Sequence, residues 1–217
     1  MYFILVICIL LIILKYNQQK KIVNPLIVIL SCQKNSHLWE NILKKHNNTI
    51  IFCGDPKLKK KYVLKDRILY LQCEDTYDHL PTKIIMMIYA ILHIHKFSHI
   101  THIFKLDDHD TQFNNKITKT IKNTININDN YCCQRIIRGS GSRRWHYGKC
   151  PKTSLWYNKP YMGKFIPWCD GGNGYILSRK SMQIILNCIP DIKSVYKEHI
   201  YEDLMISILL HKNKIYP

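Results

Sequence analysis

Acidic residues are scarce in this chain of 217 residues, which has only 15 Asp and Glu, yet several acidic residues stand together at one point. Asp107, Asp108, His109 and Asp110 directly follow a short strand-like run, residues 103–106. Neighbouring carboxylates repel one another unless a cation or exposure to water relieves the repulsion. Carboxylate oxygens suit Mg²⁺ or Mn²⁺, which in nucleotide sites connects one or two acidic residues to phosphates. The cluster therefore predicts a divalent metal site, with a polar turn after a strand as an equal alternative.

A second segment concentrates glycine, although the whole chain contains only eight glycines. Gly171, Gly172 and Gly174 lie between Asp170 and Tyr175. Glycine is required where the backbone approaches another group closely or adopts a positive φ. The segment fits neither the Walker phosphate loop nor the GxGxxG pattern. It predicts a loop of close approach, and a tight turn without a ligand is the alternative.

An acidic pair, Glu202 and Asp203, precedes the apolar residues 204–206 at a predicted helix start. A helix N-terminus favours negative charge, which is a sufficient structural reason for acidic residues there. A carboxylate held at such a position can equally act as a general base toward a hydroxyl. The residues alone leave both interpretations open.

Alternating strand and helix patterns surround these three groups. The predicted elements are, in order, a strand at residues 26–30, a helix at 37–46, strands at 49–53 and 67–73, a helix at 81–97, a strand at 101–106 and helices at 179–189 and 203–211. The lysine-rich residues 57–65 are expected to be solvated surface, and residues 138–170 irregular structure. This alternation predicts an α/β domain with a mostly parallel central sheet flanked by helices, in which ligands gather at the carboxyl ends of the strands.

The N-terminus has a different character from the rest of the chain. Residues 2–14 are continuously apolar and are followed by Lys15, Lys20 and Lys21. This pattern predicts a short signal anchor or signal peptide over residues 1–15, a linker over 16–24 and one domain over 25–217. The run is shorter than the roughly 20 residues that span a bilayer. By the positive-inside rule, the lysines after the run would place the domain on the cytosolic side of the membrane. The membrane orientation stays open.

The net charge of +17 accompanies heavy use of Ile, Lys and Asn, a bias that an AT-rich genome produces by itself. Because no nucleic-acid-binding motif accompanies the charge, nucleic acid is not an expected partner. Nine cysteines without a CxxC pair disfavour zinc ribbons and thioredoxin-like motifs. They are compatible with disulfides in an oxidising lumen, or with reduced cysteines acting as small apolar residues.

Four blocks of sequence together resemble the β-1,3-galactosyltransferase family, which includes the fringe-like enzymes. The blocks are residues 74–83, 104–109, 166–178 and 202–204, in this order. The resemblance implies a GT-A-like, Rossmann-type fold, a UDP-sugar donor, and Mn²⁺ (or Mg²⁺) held by a DxD-type motif. It also implies inverting transfer of a hexose, of the galactose or N-acetylhexosamine type, to a hydroxyl of a glycan or glycoprotein acceptor.

The resemblance further implies residue roles. The acidic triplet of the family aligns with Asp107, Asp108 and His109, so either His109 is a metal ligand or Asp108 and Asp110 form the literal DxD. We expect Asp108 to share the metal with His109 or Asp110. Asp203 matches the proposed general base. The expected donor-binding residues are Lys83, Lys105, Asp107, Asp108, Gly171 and Gly172, and the expected acceptor-binding residues are Trp168, Asp170, Gly174 and Glu202.

Two departures from the family pattern motivate an alternative function. His109 stands where the family usually has aspartate, and Pro217 ends the chain where members usually continue and supply a further metal-binding histidine. His211 is a candidate for that ligand. The alternative is a catalytically inactive protein that binds a nucleotide sugar or a glycan. In either case we expect membrane association through the N-terminal segment, in the secretory pathway (Golgi or ER).

Overall fold

The structure is a computed structural model that describes residues 24–45, 47–109 and 130–217. The predicted anchor at residues 1–15, nearly all of the linker, and Asp110 lie outside the described residues. Within those described ranges, no helix is both long enough and apolar enough to cross a membrane.

A seven-stranded sheet with the order β3-β4-β2-β1-β5-β9-β6 forms the centre of the fold. Its four middle strands, β4, β2, β1 and β5, are parallel to one another. At the edges, β3 is antiparallel to β4, and β9 is antiparallel to both β5 and β6. The strands are β1 (Pro25–Leu30), β2 (Thr49–Gly54), β3 (Tyr62–Lys65), β4 (Ile68–Leu71), β5 (His102–Asp107), β6 (Tyr131–Cys133) and β9 (Tyr175–Ser178). A separate antiparallel pair consists of β7 (Ile136–Arg138) and β8 (Pro167–Cys169).

Helices cover both faces of the sheet. They are α1 (Trp39–Lys45), α2 (Leu80–His93), α3 (Arg179–Asn187), α4 (Val195–Glu198) and α5 (Glu202–His211). Side chains alternate along each strand, so Val28 packs with the core that includes α2, α3 and α5, whereas Ile29 packs with Trp39 and Ile42 of α1. Because β1, β2 and β5 are buried on both faces, their sequences are nearly continuous apolar runs, as is typical of parallel strands.

The predicted α/β class and GT-A-like architecture are confirmed, and most element positions agree within a few residues. Ser178 caps the N-terminus of the helix predicted at residues 179–189, since its hydroxyl accepts a hydrogen bond from the backbone N–H of Ser181 at 3.1 Å. The predicted helix over residues 81–97 is shorter than expected. It ends at His93, where Ile94 turns extended, and a 3₁₀ turn, His95–Phe97, follows.

The expectation that residues 57–65 are only solvated surface was wrong for their second half. Tyr62–Lys65 forms the edge strand β3, whose Tyr62 and Leu64 pack against the core while Lys65 stays exposed. Partial burial of this kind is compatible with an edge strand, and lysines there oppose pairing with other chains. The strands β6 and β7 were also not predicted, since runs of three residues carry too little periodicity to be detected.

Candidate active site

One cleft of about 550 Å³, at the carboxyl end of β5, brings together the acidic cluster, the glycine-rich segment and the Glu202–Asp203 pair. The loop of residues 170–174 reaches the same place because it precedes β9, which runs antiparallel to β5. The N-terminus of α5 closes the cleft. The predicted site residues that line it are Asp107, His109, Trp168, Asp170, Gly171, Gly172, Glu202 and Asp203.

Lys105 connects all three groups from beneath the cleft. Its fully buried Nζ donates to Asp107 Oδ1 at 2.7 Å, to Glu202 Oε1 at 2.6 Å and to the carbonyl oxygen of Gly171 at 3.3 Å. One side chain thus fixes the end of β5, the glycine loop and the start of α5 relative to one another. A buried ammonium is tolerated here because carboxylates pair with it.

Burial and ion pairing act in opposite directions on the charged groups of this cluster. Burial alone lowers the pKa of Lys105, but the carboxylates of Asp107 and Glu202 raise it above its ordinary value. Burial raises the pKa of Glu202, and the attraction of Lys105 opposes that rise. The Tyr175 hydroxyl donates to Glu202 Oε2 at 2.8 Å, so both oxygens of Glu202 have a partner in the protein. Glu202 therefore lies in the wall of the cleft as part of its framework.

Asp203 presents its carboxylate to the cleft in a fixed orientation. Its Oδ2 accepts hydrogen bonds from the backbone N–H of Gly171 at 3.0 Å and from the indole N–H of Trp168 at 3.2 Å. Burial raises the pKa of Asp203, although the N–H groups of Gly171 and Leu204 act in the opposite direction. A carboxylate with a raised pKa that is held in this way is suited to accept a proton.

The structure gives a packing reason for two of the glycines. A Cβ on Gly171 would lie 2.9 Å from Glu202 Oε1 and 3.1 Å from the Cβ of Asp203. Gly174 has a φ of +81°, and a Cβ there would lie 2.7 Å from the carbonyl oxygen of Lys105. Gly174 packs beneath the loop and does not line the cleft, so the structure does not bring it to the other predicted acceptor residues.

The acidic cluster after β5 is divided between two environments. Asp107 faces the cleft and pairs with Lys105. Asp108 Oδ2 instead accepts from the Ser31 hydroxyl at 2.7 Å and from the Asn35 amide at 2.8 Å. The His109 ring is exposed and lines the cleft, with Nδ1 3.7 Å from Asp108 Oδ1. Within the acidic cluster, Asp108 therefore bonds to Ser31 and Asn35, whereas Asp107 and His109 line the cleft.

No three His, Cys, Asp or Glu side chains are grouped as metal ligands within the residues that the structure describes. A divalent ion in a nucleotide site needs only one or two protein ligands, because substrate phosphates complete its coordination. Asp107 supplies carboxylate oxygen and His109 supplies imidazole nitrogen at the cleft, a donor set that suits Mn²⁺. These residues thus fit a metal that is held jointly with a diphosphate. His211 does not join them, since it lines a different cavity.

Lys83 belongs to a second buried network, next to the carboxyl ends of β1 and β2. Its Nζ contacts Asp75 Oδ1 at 2.5 Å and the carbonyl oxygen of Ser31 at 3.2 Å. Asp75 also accepts from the backbone N–H groups of Gly54 at 2.8 Å and Gln33 at 2.6 Å. Asp75 was not predicted from the sequence. The signal was available, since Asp75 and Lys83 stand eight residues apart within the first family-like block.

A rim of aromatic and basic residues beside the cleft was also missed. Trp145, Lys149, Tyr201 and Arg135 line the cleft together with the predicted residues. Trp145 is 63% exposed, which is unusual for so large an apolar side chain. Trp145 and Lys149 lie in the segment expected to be irregular, residues 138–170, where no periodicity marks which side chains face outward.

The mixed α/β sheet and its cleft define a GT-A-like fold with a site at the carboxyl end of the parallel strands. The chain matches the galactosyltransferase family model over residues 58–217, a range that includes all four sequence blocks. This match extends over well over half of the chain, so the protein belongs to the galactosyltransferase family and is a glycosyltransferase by family. The family resemblance predicted from the sequence is confirmed. No curated protein matches the chain in sequence.

Proposed function

We propose that this protein transfers a hexose from a UDP-sugar to a hydroxyl of a glycan acceptor, with inversion at the anomeric carbon. The observation that carries the proposal is the contact of Lys105 with Asp107, Glu202 and the Gly171 carbonyl. This contact assembles three separated sequence blocks into one cleft. Such convergence of acidic groups with a close backbone loop is what a transferase needs to orient a donor and an acceptor.

Asp203 is the proposed general base. Its carboxylate takes the proton from the acceptor hydroxyl as that oxygen attacks the anomeric carbon on the face opposite UDP. The bond from the anomeric carbon to the UDP oxygen breaks, and its electron pair leaves with UDP. The N–H donors of Gly171 and Trp168 hold the carboxylate in one orientation. In this mechanism Trp168 orients the base, a role consistent with its burial.

Metal dependence is proposed as well, with Mn²⁺ or Mg²⁺ as the ion. Asp107 and His109 would hold the ion at the cleft, and it would offset the negative charge of the leaving diphosphate. A role for Asp108 or Asp110 stays a prediction, since Asp108 bonds to Ser31 and Asn35 and Asp110 lies outside the described residues. Lys83, Gly171 and Gly172 are proposed on the donor side, and Asp170 on the acceptor side.

The experiment is a screen of UDP-galactose, UDP-N-acetylgalactosamine, UDP-N-acetylglucosamine and UDP-glucose for release of UDP, with Mn²⁺ and with EDTA. We expect one donor to be cleaved in Mn²⁺, and the signal to disappear in EDTA. Cleavage that persists in EDTA would contradict the metal dependence. Binding of a donor without any cleavage, with or without glycan acceptors, would favour the inactive binding protein instead.

We further propose a location in the secretory pathway. The Cys133–Cys169 disulfide supports it, because such bonds persist in oxidising compartments. The N-terminal apolar residues 2–14 are the proposed membrane attachment. Localisation of a tagged full chain, with and without these residues, tests both statements.

A further inference from the structure

One wall of the cleft belongs to a segment with an unusual charge distribution, residues 131–169, in which Arg135 and Lys149 line the cleft. Residues 131–169 contain eight Lys and Arg and no Asp or Glu. All eight side chains are exposed. Four of the six arginines in the chain fall within residues 135–144. An AT-rich genome favours lysine codons, so it does not explain this concentration of arginine.

Two residues of this wall stand out at the cleft, Trp145 and Lys149. The Lys149 ammonium lies 3.8 Å from the centre of the Trp145 ring and 5.3 Å from the centre of the Tyr77 ring. Both distances are typical of cation–π contacts, which hold the ammonium in place. The indole itself remains 63% exposed and lines the cleft.

Lys149 differs in its partners from two basic residues near it, Arg135 and Arg143. Arg135, which also lines the cleft, pairs with Asp170 at 3.2 Å. Arg143 donates to the carbonyl oxygens of Tyr161 and Gly163. Among the described residues, no carboxylate lies within ion-pair distance of Lys149. Within the described part of the chain, the cleft therefore offers a positioned cation without an acidic partner, next to an exposed aromatic ring.

Resting on the proposed transferase function, we propose that the acceptor is an anionic glycan, whose sugar ring stacks on Trp145 while its acidic group pairs with Lys149. An aromatic face takes the C–H face of a sugar ring, and a cation selects an acidic substituent. The eight basic residues of residues 131–169 attract such an acceptor from solution and repel cationic ones. The acidic group is a carboxylate, a sulfate or a phosphate.

The test uses three acceptors that differ only in the group at C6: phenyl β-glucoside, which is neutral, and phenyl β-glucuronide and phenyl β-glucoside 6-sulfate, which each carry one negative charge. Their affinities are measured by NMR titration of the full chain with UDP and Mn²⁺ present. We expect the charged acceptors to bind about fivefold more tightly than the neutral one, the effect of one exposed ion pair. Comparison of glucuronide with sulfate identifies which acidic group is preferred. Raising the ionic strength should reduce the preference.

Three variants test which residues cause the preference for charged acceptors. Lys149→Met should remove the preference for charge while leaving the affinity for phenyl β-glucoside intact. Trp145→Leu should weaken binding of all three acceptors. Lys152→Met is the matched control, because Lys152 is exposed in the same segment but does not line the cleft. Thermal unfolding of each variant verifies that it is folded.

Several results would overturn the proposal. Equal affinities for the neutral and charged acceptors would remove its basis, and so would an equal effect of Lys149→Met and Lys152→Met. A loss of UDP affinity in Lys149→Met would assign Lys149 to the donor instead. Cleavage of UDP-sugars by the unmodified protein is measured separately. If UDP-sugars are cleaved but the acceptors show no charge preference, only this inference fails. If no UDP-sugar is cleaved, the proposed function is contradicted.

Discussion

At the scale of single residues, three groups hold the acidic side chains of the cleft in place. Lys105 holds Asp107 and Glu202, while Trp168 and Gly171 hold Asp203. The two adjacent carboxylates therefore have different partners. Glu202 pairs with the Lys105 cation, whereas the Oδ2 atom of Asp203 accepts hydrogen bonds from neutral N–H groups. Environments that separate two adjacent acids in this way commonly separate their chemical roles.

Asp203→Asn should reduce transfer by a factor of at least about a hundred, because a general base contributes that much or more. The asparagine oxygen can still accept from the Gly171 N–H, so UDP affinity should stay within about twofold of the original. Turnover with a glycan acceptor and UDP affinity by calorimetry are the two measurements. Asp191→Asn, at an exposed N-cap, is the matched control. Turnover close to the original in Asp203→Asn would rule out the base.

The dependence of kcat/KM on pH should reflect the burial of Asp203. A base acts only when it has lost its proton, and burial raises the pKa of Asp203 above the ordinary 3.8. Activity is therefore lost as the pH falls through this raised pKa, so the acidic limb should lie above pH 3.8. Binding of UDP over the same range separates this limb from donor affinity. A limb at or below the ordinary value would contradict the assignment.

Lys105→Met should lower the free energy of unfolding by about 3–5 kcal/mol, because it leaves the buried Glu202 and the half-buried Asp107 without their cation. Urea unfolding measures the loss. Lys180→Met, an exposed lysine in α3, is the control and should cost less than about 0.5 kcal/mol. The double variant Lys105→Met with Glu202→Gln should recover part of the stability. A loss in Lys105→Met as small as in the control would show that the cluster is not coupled.

At the scale of elements, the loop between β8 and β9 determines the shape of the site. It follows Cys169, turns through Gly171 and Gly174, and enters β9 beside β5. Its backbone lies against α5 and β5 so closely that side chains are excluded at both glycines. The loop needs glycine for these contacts whether or not a ligand is bound.

Gly174→Ala and Gly148→Ala form a matched pair that separates packing from backbone conformation. Both glycines have a positive φ, +81° and +74°. A Cβ at Gly174 would lie 2.6 Å from Leu106 Cδ2, whereas nothing lies within 4 Å at Gly148. We expect Gly148→Ala to cost about 1 kcal/mol of unfolding free energy. Gly174→Ala should cost about 2 kcal/mol more than that, since core atoms must shift.

Chemical denaturation of both variants provides the measurement, and the UDP-sugar cleavage rate shows whether the loop still carries Asp170 and Gly171 correctly. Equal losses of stability in the two variants would mean that the packing of Gly174 against Leu106 is not limiting.

At the scale of the whole molecule, the disulfide Cys133–Cys169 joins β6 at the sheet edge to β8 just before the glycine loop. The bond encloses the segment that carries the eight basic residues and that supplies one wall of the cleft. Five other cysteines in the described part of the chain, namely Cys32, Cys53, Cys73, Cys150 and Cys188, are free. Burial raises the pKa of Cys53 and Cys73 to about 12 each, so these thiols are inert.

Reduction of this disulfide should lower the stability of the protein by about 2–4 kcal/mol, because it frees a long enclosed loop in the unfolded chain. Thermal unfolding with and without dithiothreitol measures the change, and Cys133→Ser is the genetic equivalent. Cys188→Ser, which removes a free cysteine, is the control. A midpoint that does not respond to reductant would show that the bond does not hold the wall in place.

The sequence by itself determined the fold class and the chemically important blocks, since both depend on local patterns. Apolar runs at β1, β2 and β5, the acids after β5, the clustered glycines and the pair at the start of α5 are all visible within short windows. Only the tertiary structure decided that Lys105 is the shared partner of Asp107 and Glu202, and that Asp108 turns toward Ser31. It also decided that Trp145 and Lys149 reach the cleft. These contacts join residues far apart in the chain, and their pairing depends on strand order and loop paths that no local pattern encodes.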